Sequence, residues 1–491
     1  MRYIITIDEG TTSLRVVLYD VKKNCIANIE RRKFKQIFPK PSWVEHDAEE
    51  IYQKTLECFD AILKTIKIEE VYGIGITNQR ETVVAWDKTT GRPLHNAIVW
   101  QCKRTKKFCE KLRKGKYGKY IYKSTGLIPD AYFSASKIKW LIDNVDGVKR
   151  ELQNKNLCVG TIESFLVYRL TKGKHFVTDV TNASRTMLFN INTLCWDEKL
   201  LDIFNIPIEI LPTIVNNDQV VGDAEVFDKP IKIAGLIGDQ QSSLFGQGCF
   251  EEGMAKNTYG TGCFMLLNTG NKPLKSKFGL LTTVGFKTKD MVCYALEGSV
   301  FNAGSVVNWA IDNLNIAKDT NELTNLAYQI DSNDGVYLVP AFSGIGTPYW
   351  DMDARGIICG LTRGCDKRHI ARAVLESMAY SSYDVLVAMQ RDAHGRIIEL
   401  NVDGGASKNE KLMQFQSDIL GVKINKQNDE STCLGAVFMT GLATGAYKDI
   451  FEIRKCIKVE KEYLPNKNLL VEVKNNLLGW NKAVKRSLTE K

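Results

Sequence analysis

The chain has 491 residues, 44% of them hydrophobic and 25% charged, with a net charge of +9. That balance is ordinary for a soluble globular protein, and the length suits two or three domains whose cores need no disulfide staples. The chain has no apolar run of about 18 residues, which excludes a membrane-spanning helix. The start "MRYIITIDEG" meets acids by position 8 and has no signal-peptide stretch, so a cytoplasmic location is expected. Thirteen cysteines lie singly without a C-x-x-C, and the five histidines are dispersed. Buried, reduced thiols are expected, and no zinc site. The segment 103–123 holds ten Lys or Arg against one acid, Glu110. No nucleic-acid module accompanies it, so it is read as a solvated helix and loop, and no nucleic-acid partner is expected.

Three strands open the chain, in "YIITID", "LRVVLYD" and "CIANIERRKF". The first two flank a turn of Gly10, Thr11, Thr12 and Ser13, placed just after Asp8 and Glu9. Asp47 is an N-cap candidate for a helix over 48–66, whose Ile51, Leu56, Phe59, Ile62, Leu63 and Ile66 fall on one stripe. Strands follow in "VYGIGIT" (71–77) and "TVVAWD" (82–87). Strands interleaved with helices predict α/β layers.

Near mid-chain the opening device recurs. "KIAGLIGD" (232–239) predicts a buried strand, "QQSSLFGQGC" a helix start, and "MAKNTYGTGCFMLLNTG" (254–270) a second strand–turn–strand with a Gly-Thr-Gly turn. Two similar domains are expected, 1–249 and 250–491, with a boundary near 247–252 and a groove between them. "LNVDGGASKNEKLMQFQSDIL" (400–420) predicts strand, glycine turn and helix.

Glycine and hydroxyl-bearing turns leave backbone N–H groups free to meet phosphate oxygens and add hydroxyl donors. One such turn per domain would grip a triphosphate from both sides. No Walker motif is present. Asp239 sits where a buried strand meets a helix, the usual ligand position of open α/β sheets. It could act as a base, hold a metal ion, or merely cap the helix. Gly404 and Gly405 would let a planar ligand approach the backbone, or form a plain turn. Arg80 and Glu81 could bond polyol hydroxyls, or be a surface ion pair. Trp100 could wall a small pocket, or be core.

"YFSASKIKWLIDN" (132–144), "GIICGLTRGCDKRHIARAVLE" (356–376), "GITNQRET", "AIVWQCKRT", "TNASRTMLFNI", "GDQQSSLFGQ", "AKNTYGTGCFML" and "MQFQSDILG" together resemble the FGGY family of carbohydrate kinases. The resemblance runs nearly end to end and is strongest to the members that act on glycerol. It implies two actin-like, ribonuclease H-like ATPase domains around a deep cleft, and phosphorylation of glycerol by ATP to sn-glycerol 3-phosphate. It implies phosphate contacts at Thr11, Thr12, Ser13, Arg15, Gly260 and Thr261, and nucleotide contacts at Gly304, Asn308, Gly405 and Asn409. Glycerol contacts fall on Arg80, Glu81, Trp100, Tyr132, Asp239 and Gln240, with Phe264 as an apolar lid. Asp239 is the implied base, and Asp8 and Asp239 lie near Mg²⁺. A homodimer or homotetramer is also implied. Two departures stand out. The family often places Gln where this chain has Asn308, which implies a weaker or water-bridged contact. The short "VFDKPIKIAG" lacks the Gly-rich, Arg-containing loop used by some bacterial members for sugar-bisphosphate inhibition. The alternatives are a family member acting on another small polyol or ketose, and a non-catalytic actin-like ATPase module.

Overall fold

The computed structural model describes residues 1–395, 397–427 and 430–489. Its frame is two mixed sheets. The first has six strands in the order Val220–Ala224, Ile231–Gly238, Val71–Asn78, Tyr3–Glu9, Ser13–Asp20, Cys25–Lys33. Tyr3–Glu9 pairs antiparallel with Ser13–Asp20 and parallel with Val71–Asn78, which in turn runs parallel to Ile231–Gly238. The second has seven strands in the order Leu281–Lys287, Val292–Val300, Cys263–Asn268, Met254–Tyr259, Glu399–Gly404, Lys423–Lys426, Lys461–Tyr463. There too an antiparallel meander meets parallel strands, at Met254–Tyr259 against Glu399–Gly404. The two sheets therefore share one topology, the actin-like frame of the sugar kinases. The parallel strands "VYGIGITN" and "IKIAGLIG" are apolar almost throughout because helices cover both faces.

Two helices lie between the sheets, Asp239–Gly246 and Ser431–Thr444. The second has no charged residue, as expected of a helix buried on all sides. It comes from the second half of the chain yet packs on the first sheet, where Val437 and Phe438 join Ile4, Tyr19 and Ile237 in one cluster. Thr440 Oγ1 donates to the Ala234 carbonyl at 3.1 Å. The two helices touch backbone to backbone. A Cβ on Gly435 would lie 1.9 Å from the Ser242 carbonyl oxygen, and one on Gly246 2.0 Å from that of Ser431. Only glycine permits this crossing.

Asp47 caps the first helix through the amides of Glu49 and Glu50 at 2.9 and 3.3 Å. The helix runs over Ala48–Leu63 and stops short of Ile66, because the Thr65 hydroxyl and amide both close on the Ile62 carbonyl. The strand expected at 82–87 forms as Val83–Asp87, in a separate four-stranded sheet with Glu45–His46, Ala97–Ile98 and Leu157–Thr161. The helix expected at 410–420 is Glu410–Leu420. All thirteen cysteines are unpaired, but Cys25 and Cys195 are exposed rather than buried. Cys25 opens the edge strand Cys25–Lys33 of the first sheet, and Cys195 the two-residue strand Cys195–Trp196. Among the described residues no helix is long and apolar enough to cross a membrane.

Candidate active site

The carboxyl end of Ile231–Gly238 delivers Asp239 to the space between the halves. The N-cap position belongs to Gly238 and carries no side-chain bond, so Asp239 is not the cap. Its Oδ1 instead accepts from the Gln240 amide at 2.7 Å and lies 3.1 Å from Arg80 Nε. The side chain stays 27% exposed. Burial of the carboxyl raises it to about 6, outweighing the Arg80 cation, with Glu81 adding to the rise.

Arg80 and Glu81 follow the Val71–Asn78 strand and are 3% and 1% exposed, which rules out a surface ion pair. Glu81 has φ +64°, uncommon outside glycine. Its carbonyl is fixed by the Ser134 hydroxyl at 3.1 Å. The Arg80 guanidinium forks onto Glu297, at 2.6 Å to Oε2 and 3.2 Å to Oε1. Arg185 spans Glu297 at 2.8 Å and Glu81 at 2.5 Å. Burial alone would push the Glu297 carboxyl up, yet Arg185 and Arg80 outweigh it and bring it to about 2. Arg80 also reaches Tyr132 Oη at 3.4 Å.

Trp100, Tyr132 and Phe264 form the apolar wall. The Trp100 ring lies 5.5 Å from Tyr132 and 6.4 Å from Phe264, both edge-on. Trp100 Nε1 donates to Thr11 Oγ1 at 3.0 Å, tying this wall to the first turn. Gln240 Oε1 is held by Lys256 Nζ at 2.5 Å.

In the first turn the Gly10 amide donates to the Ser13 carbonyl at 3.0 Å. Thr12 points outward, and Thr11 and Ser13 are half-buried. Arg15 grips Asp8 Oδ2 through Nε at 2.8 Å and NH2 at 2.7 Å, and its NH1 meets Glu430. Cys433 Sγ donates to the same Asp8 oxygen at 3.2 Å. In the second turn Gly260 and Thr261 are exposed. The carbonyls of both accept from the start of the helix Gly304–Asp312: Gly304 N to Gly260 at 3.0 Å and Ala303 N to Thr261 at 2.8 Å. Gly404, with φ +90°, pairs with Tyr259 in register, and a Cβ there would lie 2.3 Å from the Tyr259 carbonyl. Gly405 is exposed to open space. Asn409 caps the Glu410–Leu420 helix through the Leu412 amide at 3.1 Å. Asn308 lies one turn after Gly304, on the exposed side.

The structure thus brings Arg80, Glu81, Trp100, Tyr132, Asp239, Gln240 and Phe264 together. It gathers Gly260, Thr261, Gly304 and Gly405 at the end of the second sheet, with Asn308 and Asn409 at the rim. Asp8 and Asp239 lie at strand ends two strands apart in the first sheet. Among the described residues no group of three or more His, Cys, Asp or Glu could cage a metal ion. Two hard carboxylates beside phosphate-type turns fit Mg²⁺, which takes one or two carboxylates and completes its shell with phosphate oxygens and water. A 660 Å³ hollow lined by Asp47, Arg92, His95 and Arg169 shares no residue with this site.

Sequence reasoning missed Arg185, Glu297 and Lys256. A signal existed for one of them: Glu297 in "CYALEGSV" interrupts an apolar strand. A charge buried in a strand requires an opposite partner.

Residues 3–246 match the N-terminal domain of the FGGY family of carbohydrate kinases, and residues 255–444 its C-terminal domain. The chain belongs to this family of phosphotransferases. It is similar to the glycerol kinase of Geobacillus sp. strain WCH70, at 49% identity across 100% of both chains. Among solved structures it is similar to the Plasmodium falciparum glycerol kinase with ADP, at 38% identity and a TM-score of 0.93, over 100% of this chain and 99% of that one. The gluconate kinase of Lactobacillus acidophilus matches at 25% identity and a TM-score of 0.88, over 98% of this chain and 97% of that one.

Proposed function

We infer that the chain transfers the γ-phosphoryl group of ATP to a terminal hydroxyl of glycerol, giving sn-glycerol 3-phosphate and ADP. Residues 1–249 carry the acceptor pocket and the first phosphate turn, and 250–491 the second turn and the adenosine site. The observation that carries this reading is Asp239. It is a part-exposed carboxylate poised near neutral pH, facing the space between the halves, with Arg80 and Gln240 beside it and three aromatic rings closing the carbon side.

Phosphoryl transfer asks mainly for placement and for neutralised charge. Asp239 accepts the proton of the attacking hydroxyl, and a base near the working pH does this best. Arg80, Glu81 and Gln240 hold the remaining hydroxyls, and Glu297 and Arg185 lock the first two in place. Trp100, Tyr132 and Phe264 exclude water, the competing nucleophile. Thr11, Thr12, Ser13, Gly260 and Thr261 hold the phosphates, and Arg15 offsets the charge that develops. Gly304, Asn308, Gly405 and Asn409 seat the nucleoside. Asp8 and Asp239 would hold Mg²⁺, which neutralises phosphate charge when bound.

The compact acceptor pocket favours a three-carbon polyol over the ketoses and sugar acids handled elsewhere in the family. A coupled assay for ADP release over a panel of glycerol, xylulose, ribulose and gluconate tests this. Glycerol is expected to give the highest kcat/KM. Faster turnover of a five- or six-carbon substrate, or ADP release independent of any polyol, overturns it. We further propose a cytoplasmic homodimer or homotetramer. Thirteen unpaired cysteines support the reducing compartment, and light scattering tests the assembly.

A further inference from the structure

Lys256 is fully buried in the strand Met254–Tyr259, which leads into the second turn. Its ammonium crosses to the first half of the chain, where it donates to Gln240 Oε1 at 2.5 Å. It also donates to Thr258 Oγ1 at 3.1 Å. Thr258 Oγ1 in turn lies 3.0 Å from Ser243 Oγ, one helical turn beyond Gln240. Two residues of one strand thus grip two residues of the facing helix.

The grip has a chemical consequence. An ammonium only donates, so the amide end that faces it must be the carbonyl oxygen. The Gln240 NH2 is then turned the other way, where Nε2 lies 3.4 Å from Asp239 Oδ2. Without Lys256 the amide is free to flip and to offer an oxygen to the acceptor pocket. We propose that Lys256 is a positioning residue for the acceptor substrate: it fixes the Gln240 amide with its NH2 toward the polyol hydroxyl and Asp239. The proposal rests on the glycerol-phosphorylating reading above.

The alternative is that Lys256 only balances charge, since the buried set Arg80, Arg185 and Lys256 faces Glu81, Glu297 and Asp239. A double-mutant cycle separates the two, using wild type, Lys256→Met, Gln240→Ala and the double variant, with glycerol and ATP varied separately. If Lys256 acts through Gln240, each single variant raises the glycerol KM about tenfold, roughly one charge-assisted hydrogen bond, and leaves the ATP KM within about twofold. The double variant is then no worse than the worse single one, within about twofold. Lys256→Gln keeps a neutral donor and is expected to return the glycerol KM to within about threefold of wild type. It also keeps the proposal testable should Lys256→Met fail to fold. Glycerol titration of intrinsic tryptophan fluorescence without nucleotide gives a readout apart from turnover and should rank the variants identically.

Fold-changes that multiply in the double variant overturn the proposal. So do equal losses for ATP and glycerol, or a Lys256→Gln variant as impaired as Lys256→Met. If wild type converts glycerol and the cycle is additive, this proposal alone fails. If wild type releases no ADP on glycerol, the function reading fails and takes the proposal with it.

Discussion

On the proposed reading the site has an acceptor side and a nucleotide side, and the two are built from different materials. The acceptor side is a balanced knot of buried charge, in which Arg80, Glu81, Arg185 and Glu297 hold one another at 2.5 to 3.2 Å. The nucleotide side is mostly backbone: turns at 260–261 and 404–405, with the Gly260 and Thr261 carbonyls engaged by a helix start. A small polyol has no charge and little surface, so it must be recognised by rigid hydrogen-bond partners. Charged groups locked by other charges supply that rigidity. A triphosphate brings its own charge and accepts many donors, so compliant turns suffice. The two sides should therefore fail differently when a single residue is changed.

The largest effect belongs to Asp239, the proposed base. Asp239→Asn keeps the shape and removes the proton acceptor, and kcat should fall by at least about 10²-fold. Steady-state kinetics at saturating ATP and glycerol decide this; near-normal turnover removes Asp239 from the role. Glu297→Ala attacks the knot itself. It leaves the Arg80 and Arg185 guanidiniums buried without their shared partner, and should cost about 3–5 kcal/mol of stability. Denaturant titration is the measure, and a loss confined to glycerol affinity would mean that the knot is looser than drawn.

The same contrast explains what the sequence disclosed. Turns advertise themselves: Gly10-Thr11-Thr12-Ser13 and Gly260-Thr261 are visible because glycine and small hydroxyl residues cluster between two apolar strands. The strand before Asp239 is visible because its apolar run ends abruptly in an acid. The charge knot was only half legible. Arg80 and Glu81 are adjacent in sequence, but Glu297 and Arg185 are 217 and 104 residues away from their partners, and one sequence holds no record of that pairing. The fold was legible as two copies of one strand–turn–strand device. The Ser431–Thr444 helix was not foreseen to pack on the first sheet, because its destination depends on the glycine crossing at Gly246 and Gly435, a contact between distant segments.

Acid pH probes the acceptor side more gently. Asp239 serves as base only when ionised, and burial raises its carboxyl to about 6. Protonation therefore removes activity as pH falls through that value, and kcat/KM for glycerol should drop about tenfold for each further pH unit. An acid limb centred near 4, the range of an ordinary exposed carboxylate, would mean that neighbouring cations, Arg80 or bound Mg²⁺, outweigh the burial. On the nucleotide side Gly304→Ala places a Cβ 2.7 Å from the Gly260 carbonyl. Backbone must yield there, so the second turn shifts. The ATP KM should rise by several-fold, up to about tenfold, with the glycerol KM unchanged, since only compliant contacts are strained.

The smallest effect is expected at the rim. Asn308 is exposed on the Gly304–Asp312 helix, where a longer amide would reach further toward the nucleoside across solvent. On the proposed reading Asn308→Gln would exchange a water-bridged contact for a direct one, and the two differ little in free energy. The ATP KM should fall by no more than about threefold, read from initial rates at fixed, saturating glycerol. A larger gain would mean that the nucleotide side relies on placed side chains after all, as the acceptor side does. An unchanged KM would leave backbone as the main means by which this half holds its ligand, which is the contrast in its strongest form.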